Sequence, residues 1–198
     1  MLELQIKNVT VEIKFLFLGA ITVFLLLDKT GFCFLGFLAG IIHETGHLLM
    51  FFLTGYAPEK ISFELCGIRM SRTSYDMSIK KQLIVLLGGS VINFIVFFAL
   101  SFSLDSINRL SVFAVGHLIL GIVNLLPIKA FDGGKILQIL LELILSPDTA
   151  QRSMSVIKVA VTVLLFLLGT VVFIKSKTNF SLLVLAVYVL VSDLVCPP

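Results

Sequence analysis

The run from Phe32 to Leu53 is apolar enough to cross a bilayer, yet it carries His43-Glu44-Thr45-Gly46-His47 at its centre. Ionisable side chains are costly at hydrocarbon depth, so such a cluster marks a functional site by default. On a helix, residues four apart share one face, which lets His43 and His47 grip a single metal ion. Glu44 projects from the neighbouring position, where it can act as general base toward a water activated by that ion.

The rest of the chain repeats the apolar theme. Of 198 residues, 58% are hydrophobic and only 14% charged, which excludes an ordinary soluble domain. Apolar runs cover about 15–27, 32–53, 83–104, 110–126, 156–174 and 180–195. All but the first approach the roughly 17–25 residues that a bilayer demands. The chain therefore reads as an all-α polytopic membrane protein with six transmembrane helices, in one domain over 1–198. A net charge of +3 gives no reason to expect nucleic acid. Glu3 and Glu12 interrupt the early residues, so the N-terminus does not read as a cleavable signal. Cys33, Cys66 and Cys196 lack CxxC spacing and read as free thiols.

Three segments between or before the spans have their own patterns. Leu2, Leu4 and Ile6 alternate with Glu3 and Gln5, which predicts a short strand within 1–14. Ile61, Phe63 and Leu65, then Ile68 and Met70, alternate about Cys66-Gly67, predicting a membrane-surface β-hairpin over 59–72. Ile136–Leu145 has helical periodicity but cannot span, and it reads as an interfacial amphipathic helix ended by Ser146-Pro147. With six spans, eleven of the fifteen Lys and Arg residues fall on the side that holds both termini. The positive-inside rule makes that side, and the site, cytoplasmic.

The fourth span closes with Asn124-Leu125-Leu126-Pro127, followed by Asp132-Gly133-Gly134. Proline stops the helix, and the two glycines allow unusual backbone angles and close approach. Irregular backbone at membrane depth is tolerated where it lines a cavity, so Asp132, held in this break, is a natural third ligand. Two imidazoles, one carboxylate and one water make a tetrahedral zinc site with an open position.

HETGH in one span, with NLLPIKAFDGG closing a later one, resembles the site-2 protease family of intramembrane zinc metalloproteases. The small layout looks most like the sporulation branch, whose members release a membrane-tethered sigma-factor precursor. The resemblance runs from about residue 1 to 195 and implies a Zn2+ cofactor. It implies that His43, His47 and Asp132 are ligands and Glu44 the general base. It further implies an integral protein of a bacterial plasma or forespore-surrounding membrane. Its substrate would be a membrane-tethered protein of sigma or anti-sigma type, with an inhibitory or gating partner. The chain has room for neither the PDZ nor the CBS module common in the family. Where the family has a glycine–proline pair and then an asparagine in the third span, this chain reads Gly88-Gly89-Ser90-Val91-Ile92-Asn93. Ser90 replaces the usual proline.

In this frame Asn124 or Asn93 donates to the developing oxyanion, and the 59–72 hairpin captures an unwound substrate by strand addition. Each asparagine reads equally well as a helix-packing amide. His117 competes with Asp132 as third ligand, although a structural histidine is the weightier reading. The rival function is a metal-ion transporter or a metal-binding membrane protein without hydrolysis. It requires acids and histidines at several depths, whereas here they cluster at one, His117 apart.

Overall fold

A computed structural model of the chain describes residues 2–6, 9–64, 67–71, 77–103 and 109–195. These form two compact units, divided after Asn124.

The first unit begins with β1 (Leu2–Ile6) and β2 (Val9–Ile13), followed by α1 (Phe15–Leu27) and α2 (Phe32–Leu53). Then come β3 (Lys60–Glu64), β4 (Gly67–Ser71), α3 (Ile79–Ser103) and α4 (Arg109–Asn124). The strands make one four-stranded sheet in chain order. β1 pairs antiparallel with β2, and β3 with β4, but β2 and β3 run parallel, with Val11 opposite Ile61 and Ile13 opposite Phe63. The expected hairpin is therefore β3–β4, and the expected single strand within 1–14 is itself a hairpin. Cys66 and Arg72 lie outside the described residues. Parallel neighbours need a crossover, and α1 and α2 together supply it. Glu12 and Lys60 close an ion pair at 2.6 Å across the parallel seam, and the Phe17 and Phe63 rings lie 5.6 Å apart where α1 leaves the sheet.

α1 is apolar throughout and buries no residue, a pattern that suits a hydrocarbon surrounding. Asp28 breaks it from α2. Its carboxylate accepts from the Thr30 hydroxyl (2.9 Å) and from the backbone N–H groups of Thr30 (3.0 Å), Gly31 (2.8 Å) and Phe34 (3.2 Å). This caps the first turn of α2, where N–H groups lack helical partners. Desolvation pushes the Asp28 carboxyl up, but the hydrogen bonds from Thr30, Phe34 and Gly31 outweigh it and hold the pKa at about 2. With the folded value below the ordinary 3.8, the cap stabilises fully above that pH and fades as pH falls toward 2. Carbon-detected NMR of the Asp28 carboxyl should give a midpoint near 2. A midpoint at or above 3.8 means that the cap does not form.

The second unit holds α5 (Asp132–Glu142), α6 (Pro147–Ser176) and α7 (Ser181–Val195). Ile128, Leu165, Ala186 and Val189 form its core, with Leu126, Ala130, Phe131 and Tyr188 packed against it. The loop before α5 is thus anchored on α6 and α7. Pro147 occupies the first turn of α6, a position where a missing N–H costs nothing.

Among the described residues, three helices are long and apolar enough to cross a membrane: α2, α3 over 79–102, and α6. α1, α4 and α7 are apolar but shorter. Each of the six expected spans coincides with an apolar helix, and three of these helices have the length of a candidate span. The amphipathic helix expected over 136–145 begins instead at Asp132 and ends at Glu142.

Candidate metal centre

α2 buries Ala39, His43, Gly46, His47 and Phe51, a single stripe at helical spacing. The facing stripe of α3 is Val85, Gly88, Gly89 and Asn93, and α4 brings Ala114, His117 and Gly121. Small residues let the first two helices approach closely. A Cβ on Gly88 would lie 2.7 Å from the Gly46 carbonyl oxygen, and one on Gly46 would strike the Gly88 carbonyl. Such small-residue contacts are the usual basis of tight helix crossings in membranes.

At this crossing the two imidazoles meet edge to face, with Nε2 of His43 3.2 Å from Nε2 of His47. Both residues are buried. His47 Nδ1 lies 2.8 Å from the Val85 carbonyl oxygen. A carbonyl only accepts, so the His47 proton sits on Nδ1 and its Nε2 presents a lone pair. This is the outer hydrogen bond that orients a metal-binding histidine. Two nitrogens about 2.0–2.1 Å from one tetrahedral ion stand roughly 3.3 Å apart, close to the spacing here.

Gly89 leaves the space beside these atoms open. A Cβ there would lie 2.5 Å from His43 Cε1 and from His47 Nε2, and 2.6 Å from His43 Nε2. The donor chemistry and this cradle together fit a metal ion. Glu44, half-buried, follows His43 on α2.

Asn93 is fully buried behind His43. Its amide lies 2.9 Å from His43 Nδ1 through Nδ2 and 2.9 Å from His117 Nδ1 through Oδ1. His117 is also fully buried, and its Nε2 has no hydrogen-bond partner among the described residues. Asn93 is thus engaged by two imidazoles, an arrangement that the expected oxyanion role did not foresee. His117, read as a satisfied structural histidine, is satisfied on one nitrogen only. Ser90 Oγ donates to the Gly121 carbonyl at 3.2 Å, tying α3 to α4. Asn124, in the last turn of α4, donates through Nδ2 to Leu120 O at 3.0 Å.

Asp132 stands in the second unit as the first residue of α5, and it is buried. It is not suspended in a break, as expected, because the helix starts with it. Carboxylates are favoured at a helix N-terminus, and Lys135 one turn on donates to its Oδ1 at 3.1 Å. Pro127 sits in the turn of 125–131, where Ile128 N–H bonds Leu126 O and Phe131 N–H bonds Ile128 O, both at 2.8 Å. Gly133 and Gly134 do not adopt unusual angles, since the positive-φ glycines among the described residues are Gly31 and Gly55. They serve close approach alone. A Cβ on either would fall on the carbonyl of Leu125 or Ile128.

Residues 100–168, which span α4, the Asp132 loop and much of α6, match peptidase family M50. The match covers 69 of the chain's 198 residues. The chain's fold is similar to that of the site-2 protease from Methanocaldococcus jannaschii, with a TM-score of 0.65 at 22% identity over 95% of this chain and 91% of that one. A comparison with curated proteins found no match. The match to M50 and the long apolar helices together support a membrane metalloprotease. Gly89 stands in the third-span motif, but its place against the two imidazoles and the role of the Val85 carbonyl have no local signal beyond the spacing of four that puts Val85, Gly89 and Asn93 on one stripe.

Proposed function

We propose that this chain is a zinc-dependent intramembrane endopeptidase that hydrolyses a peptide bond within or next to a transmembrane segment of a membrane-tethered precursor. The observation that carries this reading is the His43–His47 pair, buried on one face of an apolar helix with its Nε2 atoms 3.2 Å apart beside Gly89. His43, His47 and Asp132 would hold the ion. When bound, zinc supplies Lewis acidity, bringing a water toward a pKa of about 7 and polarising the scissile carbonyl.

The remaining work falls to the chain. Glu44 takes the proton of the attacking water and returns one to the leaving amine. Asn124 spends one amide N–H on Leu120 O and has a second to offer a developing oxyanion. A helical substrate hides its peptide bonds and must unwind. The outer edge of β4, at the end of the sheet, can take an extended segment by strand addition. Six crossings, with the short helices α1, α4 and α7 completing the three long ones, and cytoplasmic termini agree with the distribution of Lys and Arg. A sigma or anti-sigma precursor is the substrate type we favour.

The test uses the full chain in proteoliposomes with a membrane-tethered substrate. We expect one zinc per chain, cleavage that stops on chelation, and recovery on adding zinc. Zinc flux across the vesicle wall without cleavage would overturn the reading in favour of transport.

A further inference from the structure

The metalloprotease reading requires something specific of His43, and on that reading rests a further step. A neutral imidazole has one proton and one lone pair. As the side chains are placed, protons can be assigned along the whole cluster in one direction. His117 Nδ1–H donates to Asn93 Oδ1, and Asn93 Nδ2–H donates to His43 Nδ1. His43 Nε2–H donates to His47 Nε2, and His47 Nδ1–H donates to Val85 O. Each of these four contacts is then a sound hydrogen bond between neutral groups. What is left over in this cluster is the lone pair of His117 Nε2, which has no partner among the described residues.

This direction is incompatible with a metal on His43, whose Nε2 carries the proton. To present that lone pair, His43 must hold its proton on Nδ1, and the atom facing it must accept. In Asn93 that atom is Oδ1, so the amide must be turned end for end. Its Nδ2 then faces His117 Nδ1, which must accept in turn, so the His117 proton moves to Nε2. Each histidine keeps one proton throughout.

We propose that Asn93 and His117 form a positioning pair whose hydrogen-bond direction reverses when the metal loads, and that His117 thereby sets the metal-binding tautomer of His43. Neither residue touches the reacting atoms, and the pair acts through His43. Such outer partners typically change metal affinity by about 10–100-fold when lost.

The chain has three histidines, so ring-nitrogen signals can be assigned by deleting one at a time. Long-range nitrogen–proton NMR of the full chain in nanodiscs should find His117 protonated on Nδ1 without metal and on Nε2 with zinc. The same His117 tautomer in both states would overturn the proposal. In chelator competition, His117→Leu should bind zinc about 10–100-fold more weakly. His117→Asn, whose amide oxygen can stand where Nδ1 stood, should recover most of that loss. An affinity for His117→Leu equal to wild type would also overturn it. If wild type binds zinc and cleaves substrate while these results fail, the pair alone is wrong. If wild type binds no zinc, the metalloprotease reading falls and takes the pair with it.

Discussion

Glu44→Gln should keep its zinc and lose cleavage. The substitution preserves shape, and glutamine is as good a helix former as glutamate, so α2 and its two imidazoles stay in place. Among the described contacts, those that orient the imidazoles come from Val85 and Asn93 on α3. What changes is chemistry, because an amide cannot take up the proton of an attacking water. Loss of general-base assistance is worth about 10²–10⁴-fold in rate, enough to remove detectable cleavage of a tethered substrate. Metal analysis of the purified variant alongside a gel-based cleavage assay checks both halves. Equal cleavage by the variant and wild type would remove Glu44 from the mechanism.

Gly89→Ala should be nearly as severe, for a steric reason. The added methyl would arrive 2.5 Å from His43 Cε1 and His47 Nε2. The rings cannot simply retreat, since each is held from its far side, His47 by the Val85 carbonyl and His43 by Asn93. Yielding therefore means breaking buried hydrogen bonds at about 1–3 kcal/mol for each group left unsatisfied. We expect zinc stoichiometry to collapse and cleavage to fall with it. Gly40→Ala on α2 and Gly116→Ala on α4 are the controls, because a Cβ at either position meets nothing within 4 Å. Zinc binding by Gly89→Ala at the wild-type level would show that the cradle is not where the ion sits.

The sequence made some of this legible and hid the rest for physical reasons. The apolar runs at Phe15–Leu27 and Phe32–Leu53 coincide with α1 and α2 because turn residues close them on both sides. α3 and α6 begin well before their apolar runs, at Ile79 and Pro147. Apolarity marks the part of a helix that meets hydrocarbon, and polar first turns such as Ile79–Gln82 or Pro147–Arg152 look like loop. The sequence pattern starts α5 only at Ile136 because Gly133 and Gly134 are poor helix formers. They are there for the carbonyls of Leu125 and Ile128, a tertiary demand with no local periodicity. His43, Glu44 and His47 were plain because the motif is local and its residues are dear in an apolar run. The link from Asn93 to His117 was not, since it joins side chains 24 positions apart on different helices.

The parallel pairing of β2 with β3 has a geometric consequence of its own. Two strands joined by hydrogen bonds cannot lie on opposite faces of a lipid sheet. The chain between them must return to the face it left, so if α2 traverses the bilayer, α1 traverses it in the other sense. α1 has only 13 residues, about 20 Å of helix, against a hydrocarbon slab of roughly 30 Å. A crossing that short is met by lipid drawn inward beside it or by flanking residues reaching for the interface, and the first of these would leave the bilayer shallower on that flank of the histidine-bearing helix.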